Sequence, residues 1–396
     1  MRTAVVVGAG MAGLATAGAL ARSGWQVTLL ERAERVSAGP TALVLWGNGM
    51  RALQALDPNA GWAGIAAPLP DGGVRRPDGH WLVQPRPRAL SVPAPTVVHL
   101  EDLHDALIAG LGDRVDIRTG VTVDNVRVGR GHRPVVSAAG ARFEADLLVA
   151  ADGIDSVIRR RLAPEASAVG SGVAAWQAVV PGFRVPVLSP DQALGGETLG
   201  AGYRFVSMPL GERAAGQGGV YWVATAAGAA RPESPATQLA LLRRWFASWH
   251  APIGALLDAT RPQDLVPQEV RELRPLPRAY GFVSGPGGVV LIGDAAHAMP
   301  HHLGQGACLT FEDVATLRSM VADVQPGPAL VAAVQAYSRS RRPRTAAVVR
   351  QTRRMSAVVQ ARGRLALRAR DAALGSLPSR LLGHSGSTTS GWRPPD

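Results

Sequence analysis

Three stretches of the chain combine glycines and acids at spacings that suit a phosphate-bearing ligand. In the first, Gly8, Gly10 and Gly13 form a GxGxxG directly after the apolar run Ala4-Val5-Val6-Val7, and a helical pattern follows to about Arg22. Gly8 permits a tight turn, Gly10 lets a pyrophosphate approach the backbone, and Gly13 lets helix and strand pack closely. The helix start then aims free N–H groups at the phosphates. A second strand, Trp25 to Leu30, ends at Glu31, 18 residues after Gly13, where an acid can bind ribose hydroxyls. Strand, glycines, helix, strand and acid within 31 residues make a dinucleotide unit. Position alone leaves NAD and FAD both open.

The second stretch is a buried strand, Asp146 to Ala151, running into Asp152-Gly153, with a helix beginning near Ser156. Asp152 can serve as a turn cap by accepting backbone N–H groups. In the third, the strand Val289 to Ile292 ends in Gly293-Asp294-Ala295-Ala296-His297; after Pro300 come His301, His302 and then Gly304-Gln305-Gly306-Ala307, which open a helix carrying Glu312 and Asp313. An Asp at a strand's carboxyl end can accept from ribityl hydroxyls, and a glycine loop opening a helix can hold a flavin ring against its N–H groups.

The rest of the chain must position these groups. At 396 residues, 46% hydrophobic, it affords two or three domains with a large core. Its one Cys excludes an internal disulfide or a Cys-based zinc cage, and the motifs call for no metal. The net charge of +12 comes entirely from Arg, because the chain has no Lys, so no lysine nucleophile or Schiff base is available. Residues 339–370 hold eleven Arg and no acid, but no nucleic-acid recognition motif accompanies them, and a solvated helix face is the expected reading. Ala4 to Ala21 is apolar enough to suggest a signal sequence, yet its four glycines and the following strand favour a strand–turn–helix. No other stretch approaches the roughly 18 apolar residues of a membrane helix. A soluble, cytoplasmic protein without integral membrane association is expected.

GAGMAG with Glu31-Arg32, ADGIDSVIRR and GDAAHAMPHHLGQGACLTFED together resemble, in order and spacing, the class A (single-component) FAD-dependent aromatic hydroxylases and epoxidases. The branch most similar holds salicylate hydroxylase, urate hydroxylase and zeaxanthin epoxidase. Leu45 to Asn48 before a helix, Ala175-Trp176, and Tyr337 to Arg344 add to a resemblance that covers roughly residues 1–380. It implies that Gly8, Gly10, Gly13, Glu31 and Arg32 bind the ADP half of FAD, and that Asp294 binds ribityl and pyrophosphate. Gly304, Gln305, Gly306 and Ala307 would lie along the isoalloxazine. Asp152 and Gly153 would stand near the FAD pyrophosphate and a transient NADPH or NADH. Two positions depart from the family: Leu100 stands where an Arg near the flavin is usual, and Gln177 where many relatives carry Arg.

The fold expected is α/β: a Rossmann-like FAD-binding domain (1–70, 99–168 and 276–330) with an inserted substrate-binding β-sheet domain (71–98 and 169–275). C-terminal helices (331–383) and a disordered tail (384–396) would follow. Strand-like runs between Gly72 and Leu90 and between Gly172 and Val270, among them Arg204 to Met208 and Val220 to Ala224, would roof the flavin, backed by an amphipathic helix near Gln238 to Trp249. Candidate substrate contacts are Trp46, Gln177, Tyr203, Met208, Trp222 and Pro300; candidate catalytic residues are His301, His302 and Arg204. For each aromatic, ordinary core packing is the competing reading.

The resemblance implies a monooxygenase that consumes NAD(P)H and molecular oxygen. It would hydroxylate or epoxidise a small hydrophobic or aromatic substrate through a flavin C4a-hydroperoxide, in natural-product tailoring or aromatic metabolism. The alternative is an FAD-containing cyclase or isomerase that uses the flavin pocket without redox turnover. Motif and composition leave the oligomeric state open.

Overall fold

The computed structural model describes residues 1–85, 94–188, 194–211, 218–228, 233–376 and 389–395. Parts of four expected segments lie outside the described residues: 86–90 of the first sheet run, 189–193, 212–217 and 229–232 of the second, 377–383 of the C-terminal helices, and 384–388 and 396 of the tail.

The apolar runs at the three motifs form the centre of one six-stranded sheet. Its order is Gly281–Ser284, Gly287–Leu291, Leu147–Ala150, Thr3–Val7, Gln26–Leu30, Val115–Arg118. The inner neighbours are parallel, with Val6 level with Val149 on one side and Leu29 on the other; Gly281–Ser284 is an antiparallel edge. Strands buried on both faces need uninterrupted apolar sequence, which residues 4–7, 147–150 and 289–291 have, while the outer strand Val115–Arg118 is largely exposed. The chain leaves Thr3–Val7 toward one neighbour and returns on the other, so a crevice opens at that strand's carboxyl end, where Gly8 to Gly13 lie.

Helix Gly306–Val321 is buried almost all round, between helices Met11–Arg22, Gly47–Leu56 and Pro328–Val359. Gly49 permits the close approach of Gly47–Leu56, since a Cβ there would stand 2.8 Å from Cys308 Sγ. Glu312 and Asp313 therefore sit in the protein interior, although they are charged.

A second, seven-stranded sheet has the order Val266–Leu273, Ala168–Pro181, Gly219–Ala227, Tyr203–Leu210, Glu197–Leu199, Val74–Arg75, Trp81–Val83. Helices Pro235–Trp245 and Ile253–Ala259 cover one face, where Trp176, Phe205, Trp222 and Phe246 form the core. The other face carries Val206, Met208, Leu210, Tyr221 and Val223, packed toward Ala42 and Val97. The expected domain boundary at 98/99 cuts through strand Thr96–His99. That strand pairs with Ala42–Leu45 and Ala66–Pro68 in a small sheet of its own, because backbone pairing continues across the boundary.

The C-terminal end departs from the expectation of a disordered tail. Residues 389–395 dock on the body: Thr389 is buried, its carbonyl accepts from Arg344, and Arg51 donates to the carbonyls of Ser390 and Trp392. Ser, Thr, Gly and Pro content suggested disorder, but carbonyls of any residue type satisfy arginine donors.

Trp222 anchors the covered face of the second sheet. It is fully buried, stacks on Phe205 with centroids 5.4 Å apart, and donates from Nε1 to Thr260 at 3.0 Å. Trp222→Ala is expected to lower stability by about 3–5 kcal/mol in urea denaturation. Because the residue lies away from the nucleotide crevice, FAD affinity measured by fluorescence titration is expected to stay within about twofold, a change well under 1 kcal/mol.

Candidate flavin and substrate site

The glycines at the crevice have distinct surroundings. Gly8 has φ +98, and a Cβ on it would lie 2.5 Å from the Ala151 carbonyl oxygen; a Cβ on Gly13 would lie 1.7 Å from the Gly8 carbonyl oxygen. A Cβ on Gly10 would meet nothing within 4 Å. The first two are required by backbone packing, whereas Gly10 borders open space at a helix start that has no side-chain cap. Glu31 braces the loop: its carboxylate accepts from Ala9 N at 2.7 Å and Ala33 N at 2.9 Å. His104, buried in helix Leu100–Ala109, reaches Ala9 O from Nε2 at 3.2 Å. Leu100 opens that helix behind His99, whose side chain accepts from Glu101 N. Arg32 is exposed.

Asp152 caps the turn, accepting from Val157 N at 2.9 Å through Oδ2, while its Oδ1 is buried with no partner. Burial pushes this carboxyl above the ordinary range, against hydrogen bonds from Ser156 and the following backbone. Gly153 has φ +74 and open space where a side chain would be. Arg159 lies behind both, 1% exposed, donating to Ile154 O at 2.6 Å and more distantly to Gly153 O and Ala295 O. One buried cation thus ties the second motif to the third.

In the third motif Gly293 has φ +61 and Asp294 begins a short helical turn. Asp294 is exposed at the carboxyl end of strand Gly287–Leu291, and desolvation by the protein around it pushes its carboxyl up. Beneath it runs a chain of buried charge. Asp313 accepts from Gly293 N at 3.1 Å, His297 Nε2 at 2.6 Å and Arg341 Nε at 2.7 Å. Burial alone would raise its carboxyl, but His297 and Arg341 outweigh that and hold it low. Arg341 also meets Glu312 at 2.8 Å, Arg344 forks onto the same carboxylate at 2.7 and 3.0 Å, and Asn48 donates to both Glu312 and Gln305. Gln305 in the glycine loop is tied in this way to the buried charges. Gly304 has φ +60 beside Trp46, whose Nε1 is buried and unpaired, and Gly306 is open.

These features fit an FAD. Open cradles at Gly10, Gly153 and Gly306, an unpaired Asp152 oxygen, and an Asp294 carboxylate at the crevice are what phosphates and ribityl hydroxyls require.

The expected substrate residues divide between two faces. Met208, Gln177 and Arg204 stand on the face of the second sheet turned away from the two helices, which also presents Tyr221. Tyr221 is buried, donates to Gln177 Oε1, and its hydroxyl is pushed up by burial. Tyr203 and Trp222 are on the opposite face, against Trp245, Phe246 and Phe205, so they do not share a face with Met208 and Arg204. Side chains alternate along a strand, and an error of one residue moves an assignment through the sheet. Pro300 is buried before the turn His301–Leu303. His301 Nε2 and both ring nitrogens of His302 are buried without partners, with ring centroids 5.5 Å apart. Burial, then the charge of Arg204, lowers His301 to about 4 and His302 to about 2, so both are neutral imidazoles at ordinary pH. Arg204 binds Glu197 through Nε at 2.7 Å and Nη2 at 3.1 Å, and also reaches His302 O. Roles for Glu197, Tyr221, His104 and Asn48 were not read from sequence. Tyr221, His104 and Asn48 act through partners remote in the chain, as Asn48 does with Glu312, 264 residues away, whereas Glu197 meets Arg204 across the adjacent strand.

Gly10→Ala is expected to leave the thermal midpoint of the FAD-free protein unchanged while weakening FAD by about tenfold or more (about 1.4 kcal/mol), since the methyl occupies ligand space. Gly13→Ala, by contrast, collides with backbone and is expected to lower the FAD-free midpoint as well. Calorimetry with and without FAD checks both.

Comparison with known proteins agrees with this geometry. The profile of the FAD binding domain family matches residues 1–352. The chain is 32% identical over 341 residues to the aurachin C monooxygenase/isomerase of Stigmatella aurantiaca, covering 84% of each. It is 33% identical over 319 residues to the 2-heptyl-3-hydroxy-4(1H)-quinolone synthase of Pseudomonas aeruginosa, covering 78% of each. Among solved structures, Klebsiella pneumoniae HpxO complexed with FAD and uric acid superposes with TM-score 0.82 over 98% of this chain and 96% of that one, at 23% identity. Carrying the nucleotide crevice and both sheets in this arrangement, the chain belongs to the FAD binding domain family and is an FAD-dependent monooxygenase.

Proposed function

We propose that this monooxygenase inserts one oxygen atom into a small, hydrophobic aromatic compound, consuming NAD(P)H. The observation that carries the reading is the apolar sheet face of Val206, Met208, Leu210 and Val223, together with the cradle at Gly304 to Ala307 and the unpaired imidazoles of His301 and His302. Gly8, Gly10, Gly13, Glu31 and Arg32 hold the ADP half of FAD, Asp294 its ribityl and pyrophosphate, and Gln305, Gly306 and Ala307 its ring edge. Asp152 and Gly153 border the path of NADPH or NADH. Bound FAD supplies two-electron exchange with NAD(P)H and activation of dioxygen. The balance is R–H + O2 + NAD(P)H + H+ giving R–OH + NAD(P)+ + H2O, or the epoxide where an alkene replaces R–H.

The chain's own part is orientation and exclusion of water. Met208 and its neighbours supply a dry wall against one face of a planar ring. Tyr221 and Gln177 form a hydrogen-bonded pair that can meet a polar substituent. His301 and His302, neutral and unpaired at His301 Nε2 and both His302 ring nitrogens, can donate or accept at the opposite edge and so hold a proton on a phenol or ring N–H. The name of one relative, a 2-heptyl-3-hydroxy-4(1H)-quinolone synthase, supports a bicyclic nitrogen heteroaromatic as the substrate class; another is named an aurachin C monooxygenase/isomerase. The second of these names also supports the alternative, isomerisation in the same pocket.

The test supplies FAD-loaded protein, NADPH or NADH, and labelled dioxygen to 4-quinolones and related phenols. Product carrying one 18O atom, at least tenfold above a no-protein control, is expected. Rearranged product without label or NAD(P)H consumption would establish the isomerase reading instead.

A further inference from the structure

Arg204 is a cation on the sheet face that packs toward Ala42 and Val97; it reaches the histidine turn, and its guanidinium is already engaged. The residue is 8% exposed; Glu197 takes two of its N–H groups in a bidentate pair at 2.7 and 3.1 Å, and a third donation goes to His302 O at 3.4 Å. The fork geometry fixes the pair. Glu197 stands one strand over, level with Val206, so the pair and the apolar wall share a face. The residues that the strand register places around the pair on that face are uncharged: Val206, Met208, Leu210, Tyr221, Val223, Thr225 and Gln177. His301 and His302, beside Arg204, leave three ring nitrogens unpaired and buried.

We propose that Glu197 acts as a charge lock: by neutralising Arg204 it makes the chamber select an uncharged aromatic substrate bearing N–H, C=O or O–H groups, and reject the same ring carrying a carboxylate. This rests on the monooxygenase reading and names the substrate class of that site. An entering carboxylate loses its hydration and finds a cation whose charge is spent on Glu197, and a buried carboxylate without its own counter-charge is strongly disfavoured. A neutral ring loses little on entry, and its polar groups supply the partners that the imidazoles lack. The protonation states of the two histidines reinforce this, because burial keeps both uncharged and neither offers the anion a replacement cation. Specificity of this kind works by removing an attraction the competitor needs.

The experiment measures dissociation constants by calorimetry on the FAD-loaded protein with matched probe pairs: phenol and salicylate, 4-hydroxyquinoline and its 2-carboxylate. For the unaltered chain the neutral member of each pair is expected to bind at least tenfold more tightly. Glu197→Gln frees the Arg204 charge and is expected to tighten the carboxylate member at least tenfold, with little change for the neutral one. The double variant Glu197→Gln/Arg204→Gln, which removes both charges, is expected to return to the original preference and controls for packing. An unchanged ratio in Glu197→Gln, tight carboxylate binding by the unaltered chain, or failure of every neutral probe to bind would each overturn the proposal. FAD content and reduction by NAD(P)H, followed on the same samples, show whether the monooxygenase reading stands independently of the charge preference.

Discussion

The arrangement of the crevice depends on a charge placed where charge is costly. Asp313 lies wholly inside the protein with His297 and Arg341, and its two oxygens hold Gly293 N, the His297 ring and the Arg341 guanidinium at once. Removing Arg341 would leave buried carboxylate without its cation, at a cost of about 3–5 kcal/mol. The same cluster continues through Arg341 to Glu312, and through Asn48 to Gln305. The strand end at Gly293, the glycine loop at Gln305 and the long helix Pro328–Val359 are therefore not free to move separately. A ligand laid across the first two meets a surface set before it arrives, which is how binding keeps a low ordering cost.

The basic composition has a structural explanation of the same kind. Arg22, Arg51, Arg159, Arg243, Arg353 and Arg370 donate to backbone carbonyls at helix ends and loops, and Arg341, Arg344 and Arg353 also neutralise interior acids. The planar five-donor guanidinium suits these tasks in a chain without Lys. Other arginines, including Arg339, Arg350 and Arg354, are exposed on the long helix. Among the described residues no helix is long and apolar enough to cross a membrane.

Much of the fold was legible because its signals are local. GxGxxG after the apolar run Ala4 to Val7, Asp152-Gly153, and Gly293-Asp294 each mark a place where backbone geometry admits few residue types, and the strands before them are continuous apolar runs. The phase of the second sheet was not legible. Tyr203 and Trp222 look like pocket residues beside Arg204 and Tyr221, and only the packing of Trp245 and Phe246 decides which of each adjacent pair faces inward. Leu100 drew notice as a missing Arg, while the contact that its helix makes with the glycine loop comes from His104, one turn later. The docked tail shows the same limit, since nothing in a Ser-Thr-Gly-Pro sequence announces that Arg51 and Arg344 hold its carbonyls.

The central claim is that the crevice holds an FAD that works as a redox centre. An anaerobic titration of the FAD-loaded protein with NADPH, and with NADH, followed by the flavin's visible absorbance in the presence and absence of a neutral quinolone, tests it most directly. The account predicts bleaching that is stoichiometric with one nucleotide and faster when the aromatic compound is present. A protein that cannot be loaded with FAD, or whose bound flavin stays oxidised with both nucleotides and every aromatic offered, would contradict it.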